Sequence, residues 1–304
     1  MQNLLIILVA ILIFPKCSLI STGAKSAEPM SRTPFTYAGK LFKIPVVINE
    51  TIPSYFIFDT GIGVSLISKK ICQKMDCKID RSMRGHRMSG QEIKIALTKQ
   101  PSLSFATQKQ HDVHLGVWDM SQGFLPDLPE FKDVEGFLSL NFFKELPLTI
   151  DYRNKEFILE SPKSLQQRLL TGTVIPVEKR YEDGALVVFM KLSVPNGPPA
   201  LVEVDLGSNH FILDNKYMKR LGIDPKSKKV IKQVSRDETN NPYVRHYADI
   251  KGPIFPVDGE KFQQKNLKVM FQKIIYDGLV GDNFMKRFTV TYDLKNSRLI
   301  FNDK

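Results

Sequence analysis

Tyr55-Phe56-Ile57-Phe58-Asp59-Thr60-Gly61-Ile62 is an apolar, β-rich run that ends in an Asp-x-Gly turn. The same pattern recurs as Leu201-Val202-Glu203-Val204-Asp205-Leu206-Gly207-Ser208. A second apolar strand follows each turn, at residues 64–67 and at residues 210–213. The chain therefore holds one strand-turn-strand unit twice, and such a repeat decides how the whole fold is interpreted.

A second repeated element lies downstream of each turn. Residues 136–143 match residues 278–285 without a gap, and the match continues through an Asp-x-x-Asn step that ends in another apolar strand. The spacing from Asp59 to Gly136 is 77 residues, and the spacing from Asp205 to Gly278 is 73. The Asp-x-x-Asn step predicts a hairpin in which Asn takes the left-handed conformation.

These repeats predict an all-β fold made of two homologous halves. We place the N-terminal lobe at residues 25–160 and the C-terminal lobe at residues 173–304. A polar linker with one helical turn is expected between them, at residues 161–172. Short helices are expected at residues 68–75 and 215–221, directly after the second strand of each unit.

The N-terminus predicts export. Residues 4–14 form an apolar run of 11 residues, too short to span a bilayer as a helix. Small residues follow, which indicates a signal peptide at residues 1–24 and a periplasmic or secreted protein. A retained N-terminal segment that anchors the chain to a membrane is the alternative.

The charge distribution and the cysteine content indicate which ligands and cross-links to expect. The net charge of +11 is scattered along 304 residues, and no nucleic-acid-binding motif accompanies it. Removal of Cys17 with the signal peptide leaves Cys72 and Cys77, and an even pair in an exported protein predicts a disulfide. In a cytosolic protein the same pair would be free thiols. No His or further Cys lies at metal-ligand spacing, so no metal is expected.

The repeated motifs carry a family resemblance. Phe58-Asp59-Thr60-Gly61 is similar to the Asp-Thr-Gly signature of aspartic proteases, the pepsin and retropepsin-like group. Gly136-Phe137-Leu138-Ser139 and Gly278-Leu279-Val280-Gly281 resemble the second half-motif of that family. The resemblance covers nearly all of the chain after residue 24. It implies the bilobal pepsin-like acid protease fold, with two β-barrel-like lobes and a cleft between them.

The resemblance also implies an activity. It makes Asp59 and Asp205 a catalytic pair that shares one proton and activates a water, which describes an aspartic-type endopeptidase. Gly61 and Gly207 then let both loops turn tightly. Such a monomeric hydrolase requires no cofactor, and its partner is a peptide or protein substrate in the interlobe cleft.

Two features of the motifs keep alternatives open. Leu206 stands where the family has a second Thr, so only Thr60 braces the loops, whereas Ser208 is placed to hydrogen-bond Asp205. A catalytically impaired module that binds extended peptides without cleaving them is therefore the alternative function. A hairpin that covers the cleft is expected near residues 84–90. A glycosidase pair is disfavoured, because Trp118 is the only tryptophan available as a sugar platform.

Overall fold

The computed structural model describes residues 28–119, 128–236 and 242–303, and these residues are mostly β-strand. The predicted all-β class is confirmed. The predicted signal peptide, residues 1–24, lies outside the described residues. In the described ranges no helix is both long and apolar enough to cross a membrane.

Twenty-two strands lie in these ranges. In chain order they are β1 (Ser31–Pro34), β2 (Thr36–Ala38), β3 (Leu41–Ile48), β4 (Ile52–Asp59), β5 (Leu66–Ser68), β6 (Ile79–His86), β7 (Glu92–Phe105), β8 (Gln108–Trp118), β9 (Val134–Ser139), β10 (Leu148–Asp151), β11 (Glu156–Leu159), β12 (Thr173–Glu182), β13 (Ala185–Ser193), β14 (Ala200–Val204), β15 (Phe211–Asp214), β16 (Ile231–Arg236), β17 (Pro242–Ile250), β18 (Phe255–Pro256), β19 (Leu267–Gln272), β20 (Gly278–Val280), β21 (Thr289–Asp293) and β22 (Arg298–Asn302).

The helices are short. They are α1 (Lys69–Lys74), α2 (Pro162–Thr171), α3 (Lys216–Arg220) and α4 (Asp282–Met285). α1 and α3 lie where the sequence predicted helices after the second strand of each repeat. The segment at residues 161–172 is a fuller helix than the single turn expected, because Ser161 and Ser164 form a reciprocal capping box at its start.

Strand order repeats between the two halves of the chain. In the first half the strands are ordered β3-β4-β9-β5-β8-β7-β6, and in the second half β13-β14-β20-β15-β19-β17-β16. The parallel pairs also correspond, since β4 pairs with β9 as β14 pairs with β20. The sequence repeat is thus matched strand by strand in the pairing.

A six-stranded part of the larger sheet joins the halves. Its order is β1-β11-β10-β21-β22-β12, so three strands come from each half. Thr149 on β10 and Thr291 on β21 lie opposite each other, and their hydroxyls are 2.6 Å apart. One apolar core extends from Phe58 in the first half to Val204 and Tyr292 in the second.

The Asp-x-x-Asn hairpins form, but their left-handed residue is not the Asn. Lys155 and Ser297, each one residue later, take positive φ values of 55° and 52°. The Asn154 side chain instead donates to Asp151 Oδ2 at 2.8 Å, and Asn296 bonds Asp293 in the same way. The prediction was wrong at this residue because Asn is used for its side-chain amide.

Candidate ligand-binding site

Two equivalent turns carry the predicted aspartates. Asp59 ends β4, and Asp205 directly follows β14. The Gly61 N–H donates to Asp59 Oδ1 at 2.9 Å, and the Gly207 N–H donates to Asp205 Oδ1 at 2.9 Å. Each carboxyl group is therefore held by the backbone of its own turn.

The structure brings the two turns face to face. A side-chain carbon added at Gly61 would overlap the Asp205 carboxyl group, and one added at Gly207 would overlap the Asp59 carboxyl group. A hydrogen bond joins the two carboxyl groups. Both positions therefore exclude any residue with a Cβ, because the aspartate of the opposite turn occupies the space.

Thr60 links the turns across the halves. Its buried hydroxyl donates to the Val204 carbonyl at 2.7 Å and accepts from the Leu206 N–H at 2.8 Å. Leu206 returns no such bond, because its fully buried side chain packs in the main apolar core. The brace is thus one-sided, as the replacement of Thr by Leu206 predicted.

Ser208 differs from its expected role. Its hydroxyl accepts from the His210 N–H at 3.2 Å. Among the described residues, the Asp205 carboxyl group accepts a hydrogen bond from the Gly207 N–H and donates one to Asp59. Ser208 nevertheless lies beside the pair, in the wall of the same cavity.

Burial dominates the electrostatics of the pair. It raises the pKa of Asp59, while the hydrogen bonds that its carboxyl group accepts from Gly61 and Asp205 oppose the rise. The pKa of Asp205 lies well above its ordinary value, because burial and the negative charges of Asp59 and Glu203 all disfavour ionisation. Loss of both protons is therefore disfavoured, and the protonated member of the pair donates a hydrogen bond while its partner accepts one.

Glu203 is a third carboxyl in the site that the sequence analysis missed. It lies two residues before Asp205 on β14 and lines the same cavity. Burial, followed by the charge of Asp59, raises the pKa of Glu203 to about 8. The signal was present in the repeat, since Glu203 stands where the first half has Ile57.

The three acids form one side of a cavity of about 410 Å³ between the halves. Its opposite wall is the β6–β7 hairpin, which the sequence analysis placed at residues 84–90. At the hairpin tip the Ile275 N–H donates to the Met88 carbonyl at 3.1 Å, and Met88 packs against an apolar cluster of the second half. The hairpin therefore reaches across and covers the acids.

The predicted disulfide is not formed. Cys72 and Cys77 are free thiols in this structure, and a hydrogen bond joins them. Burial and that bond raise the pKa of Cys72 to about 12. Because the thiolate is the form that attacks a partner sulfur, such a buried thiol is poorly reactive.

The described residues hold no group of three or more His, Cys, Asp or Glu side chains arranged to bind a metal ion. The site is thus a set of hydrogen-bonding carboxyl groups beneath a hairpin.

Comparison with known proteins shows the fold. No protein-family model matches the chain, and no curated protein matches it. Basic 7S globulin from soybean matches with a TM-score of 0.52 and 12% identity, covering 89% of this chain and 94% of its own. Conglutin gamma from lupine seeds, titled a unique basic 7S globulin, matches with a TM-score of 0.50 and 10% identity, covering 90% and 94%.

These comparisons correct the family and the activity expected from the sequence. Both similar structures are described as basic 7S globulins and neither as a peptidase. The assignment to the pepsin and retropepsin-like proteases, and with it the prediction of an aspartic-type endopeptidase, is therefore wrong. The one-sided brace at Leu206 is a physical feature in which the site departs from that family. What the comparisons identify is a chain with the fold shared by the two globulins.

Proposed function

We propose that this chain is a binding protein whose two homologous lobes hold a segment of a partner protein or peptide in the cleft between them. The repeated strand order supports the two lobes, with residues 25–160 and 173–304 on either side of helix α2. The proposal assigns Asp59 and Asp205 to ligand binding.

The main observation that supports the proposal is the position of strand β6. It is the last strand of its sheet, pairing only with β7 in the described part of the chain, and four of its residues (83–86) line the cavity. An edge strand presents unpaired backbone N–H and C=O groups that an added strand can bond. The cleft thus offers backbone hydrogen bonds on one side and carboxyl groups on the other.

The acid pair suits a polypeptide ligand. A pair that holds one proton offers a donor and an acceptor together, and a peptide group needs both when it leaves water. Apolar side chains also line the cavity, among them Val64, Ile93 and Val187. They supply surface against which alternate side chains of a bound strand are buried.

The test is selection from a library of random nonapeptides with the purified chain, followed by measurement of Kd by fluorescence anisotropy. We expect the selection to enrich peptides. Asp59→Asn or Asp205→Asn should weaken the affinity for these peptides about tenfold, because a hydrogen bond to a buried carboxyl group is lost. Asp112→Asn is the matched control: Asp112 is 75% exposed and pairs with Lys99 on the neighbouring strand.

Failure to enrich any peptide would contradict the proposal. So would equal affinity of the two cleft variants and the wild type. Fragmentation of the bound peptide would contradict a role limited to binding.

A further inference from the structure

Glu203 lies on the cavity-facing side of its strand. On the neighbouring strands its register partners are Phe189 on β13 and Leu279 on β20. The Glu203 residue is only 5% exposed, yet it contributes to the wall of the cavity. Its carboxyl group is thus withdrawn from bulk water and available to an occupant of the cleft.

Glu203 has no counter-charge in the described part of the chain. No hydrogen bond or ion pair is recorded for its carboxyl group, and the charged groups next to it, Asp59 and Asp205, are acids. The nearby Arg180 is engaged elsewhere: its Nε donates to Glu178 at 2.7 Å, and its guanidinium lies over the Phe189 ring at 4.4 Å.

The fold itself does not require a charge at this position. The corresponding residue of the first half is Ile57, which is fully buried in an apolar cluster with Leu66 and Phe137. Burying a carboxyl group without a partner costs several kcal/mol unless the group stays protonated. The burial of Glu203 therefore disfavours the charged form of its carboxyl group until a ligand supplies a positive counter-charge.

Aromatic rings border the same spot. Tyr276 lines the cavity and stacks edge-on against Phe189 at 4.9 Å. Burial, followed by the negative charge of the nearby Glu203, raises the pKa of Tyr276 to about 12. A carboxylate beside aromatic faces is suited to an organic cation, which gains an ion pair and a cation–π contact together.

We propose that Glu203 forms a subsite for a lysine or arginine side chain of the bound segment, next to the Asp59–Asp205 pair. The inference rests on the proposed binding function and names its selectivity. The incoming ammonium or guanidinium group provides the counter-charge, and its alkyl stem packs on Leu279 and Tyr276.

Agmatine tests the subsite directly, with butylurea as an uncharged probe of the same alkyl length. Isothermal titration calorimetry of the purified chain is expected to detect agmatine binding. Glu203→Gln should weaken the affinity for agmatine about tenfold or more, because a charge-assisted hydrogen bond in a desolvated site is lost. Glu203→Ile installs the residue of the first half and should abolish binding. Glu145→Gln, on a side chain that is 67% exposed and outside the cavity, should stay within twofold of wild type.

The outcomes separate the subsite from the proposed function. Equal binding of agmatine to wild type and Glu203→Gln overturns the subsite, and so does binding of agmatine no tighter than binding of butylurea. Selection of nonapeptides with no preference for Lys or Arg overturns it while the binding function stands. Agmatine binding without any peptide binding overturns the binding function and leaves the cation subsite. Far-UV circular dichroism of both Glu203 variants verifies that they are folded.

Discussion

At the scale of single residues, the site is defined by three carboxyl groups whose pKa values are all raised in the same direction. Burial is the first cause for Asp59, Asp205 and Glu203 alike. A group that keeps its proton in the folded protein and loses it on unfolding makes stability depend on pH. The cleft therefore affects the folding equilibrium as well as ligand binding.

We predict that the free energy of unfolding falls as pH rises from about 4.5 to about 8. Unfolded Glu203 ionises near its ordinary pKa of 4.5, whereas the folded protein keeps the proton up to a pKa of about 8. The stabilisation is complete below the lower value and lost above the higher one, at up to about 1.4 kcal/mol per pH unit. Urea unfolding between pH 5 and pH 8 measures the slope.

Glu203→Gln should flatten this slope, because the variant has one carboxyl group fewer to titrate. Glu145→Gln is the control, since that side chain is 67% exposed and pairs with Lys295 on the surface. An unchanged slope in Glu203→Gln would contradict the assignment of the pH dependence to this residue.

The sequence predicts part of this site. The repeat places Asp59 and Asp205 in equivalent turns, and the Asp-x-Gly pattern requires glycine at both, so their pairing could be foreseen. Glu203 could not be identified in the same way, because it lies within an apolar strand and only its contrast with Ile57 marks it. Its position in the cavity wall depends on pairing with β20, which is distant in sequence.

At the scale of elements, the β6–β7 hairpin determines access to the acids. Its turn contains Gly90 at a φ of 89°, in the left-handed region. A Cβ at this position would lie 2.8 Å from Cγ2 of Ile275 in the second half. Glycine thus serves both the turn and the contact across the cleft.

Gly90→Ala should loosen this contact. The Ile275 N–H donates to the carbonyl of Met88, which lies in the same turn as Gly90. We therefore expect amide hydrogen exchange at Ile275 to accelerate, roughly tenfold if the closed hairpin is destabilised by about 1.4 kcal/mol. Gly184→Ala is a matched control, because Gly184 has a φ of 87° but no atom within 4 Å of its Cβ position. Equal exchange at Ile275 in the two variants would show that backbone strain alone explains the effect.

Local sequence patterns predict where helices and hairpins form better than they predict which residue takes the left-handed conformation. The helices after β5 and β15 were foreseen from their position after the second strand of each repeat, and the hairpin after β6 from its flanking glycines. The left-handed residues were not: Asn154 favours a positive φ by itself, yet Lys155 takes it because the Asn amide is bound to Asp151. A side-chain hydrogen bond outweighed the backbone preference.

At the scale of the whole molecule, the halves share one sheet and one apolar core. β10 of the first half pairs with β21 of the second, and β12 continues from the shared part into the second half. Separating the halves would expose this edge and the core residues behind it. The repeat predicted two similar halves, but no local pattern indicated that β10 and β21 pair, because the strands are far apart in the chain.

We therefore predict that heat unfolds the chain in a single cooperative transition. Differential scanning calorimetry should give a calorimetric enthalpy equal to the van't Hoff enthalpy. Two resolved transitions would contradict the prediction and would show that the shared sheet does not couple the halves.

Family assignment was the prediction that failed at this scale. Asp-Thr-Gly and its downstream motif describe how a turn is built, and the structure has that turn at Asp59. The comparisons nevertheless connect the fold to two basic 7S globulins at 10–12% identity. A short motif fixes local geometry, whereas activity depends on the complete site, including residues such as Leu206 and Glu203.

The pairing of β10 with β21 also has a consequence for synthesis on the ribosome. Translation completes β10 at Asp151 about 140 residues before it reaches β21 at Thr289. At about 5–20 residues per second, the edge of β10 stays unpaired for roughly 7 to 28 seconds before its partner strand is synthesised. The nascent chain thus carries an open strand edge until β21 emerges, and such an edge is exposed to pairing with other chains.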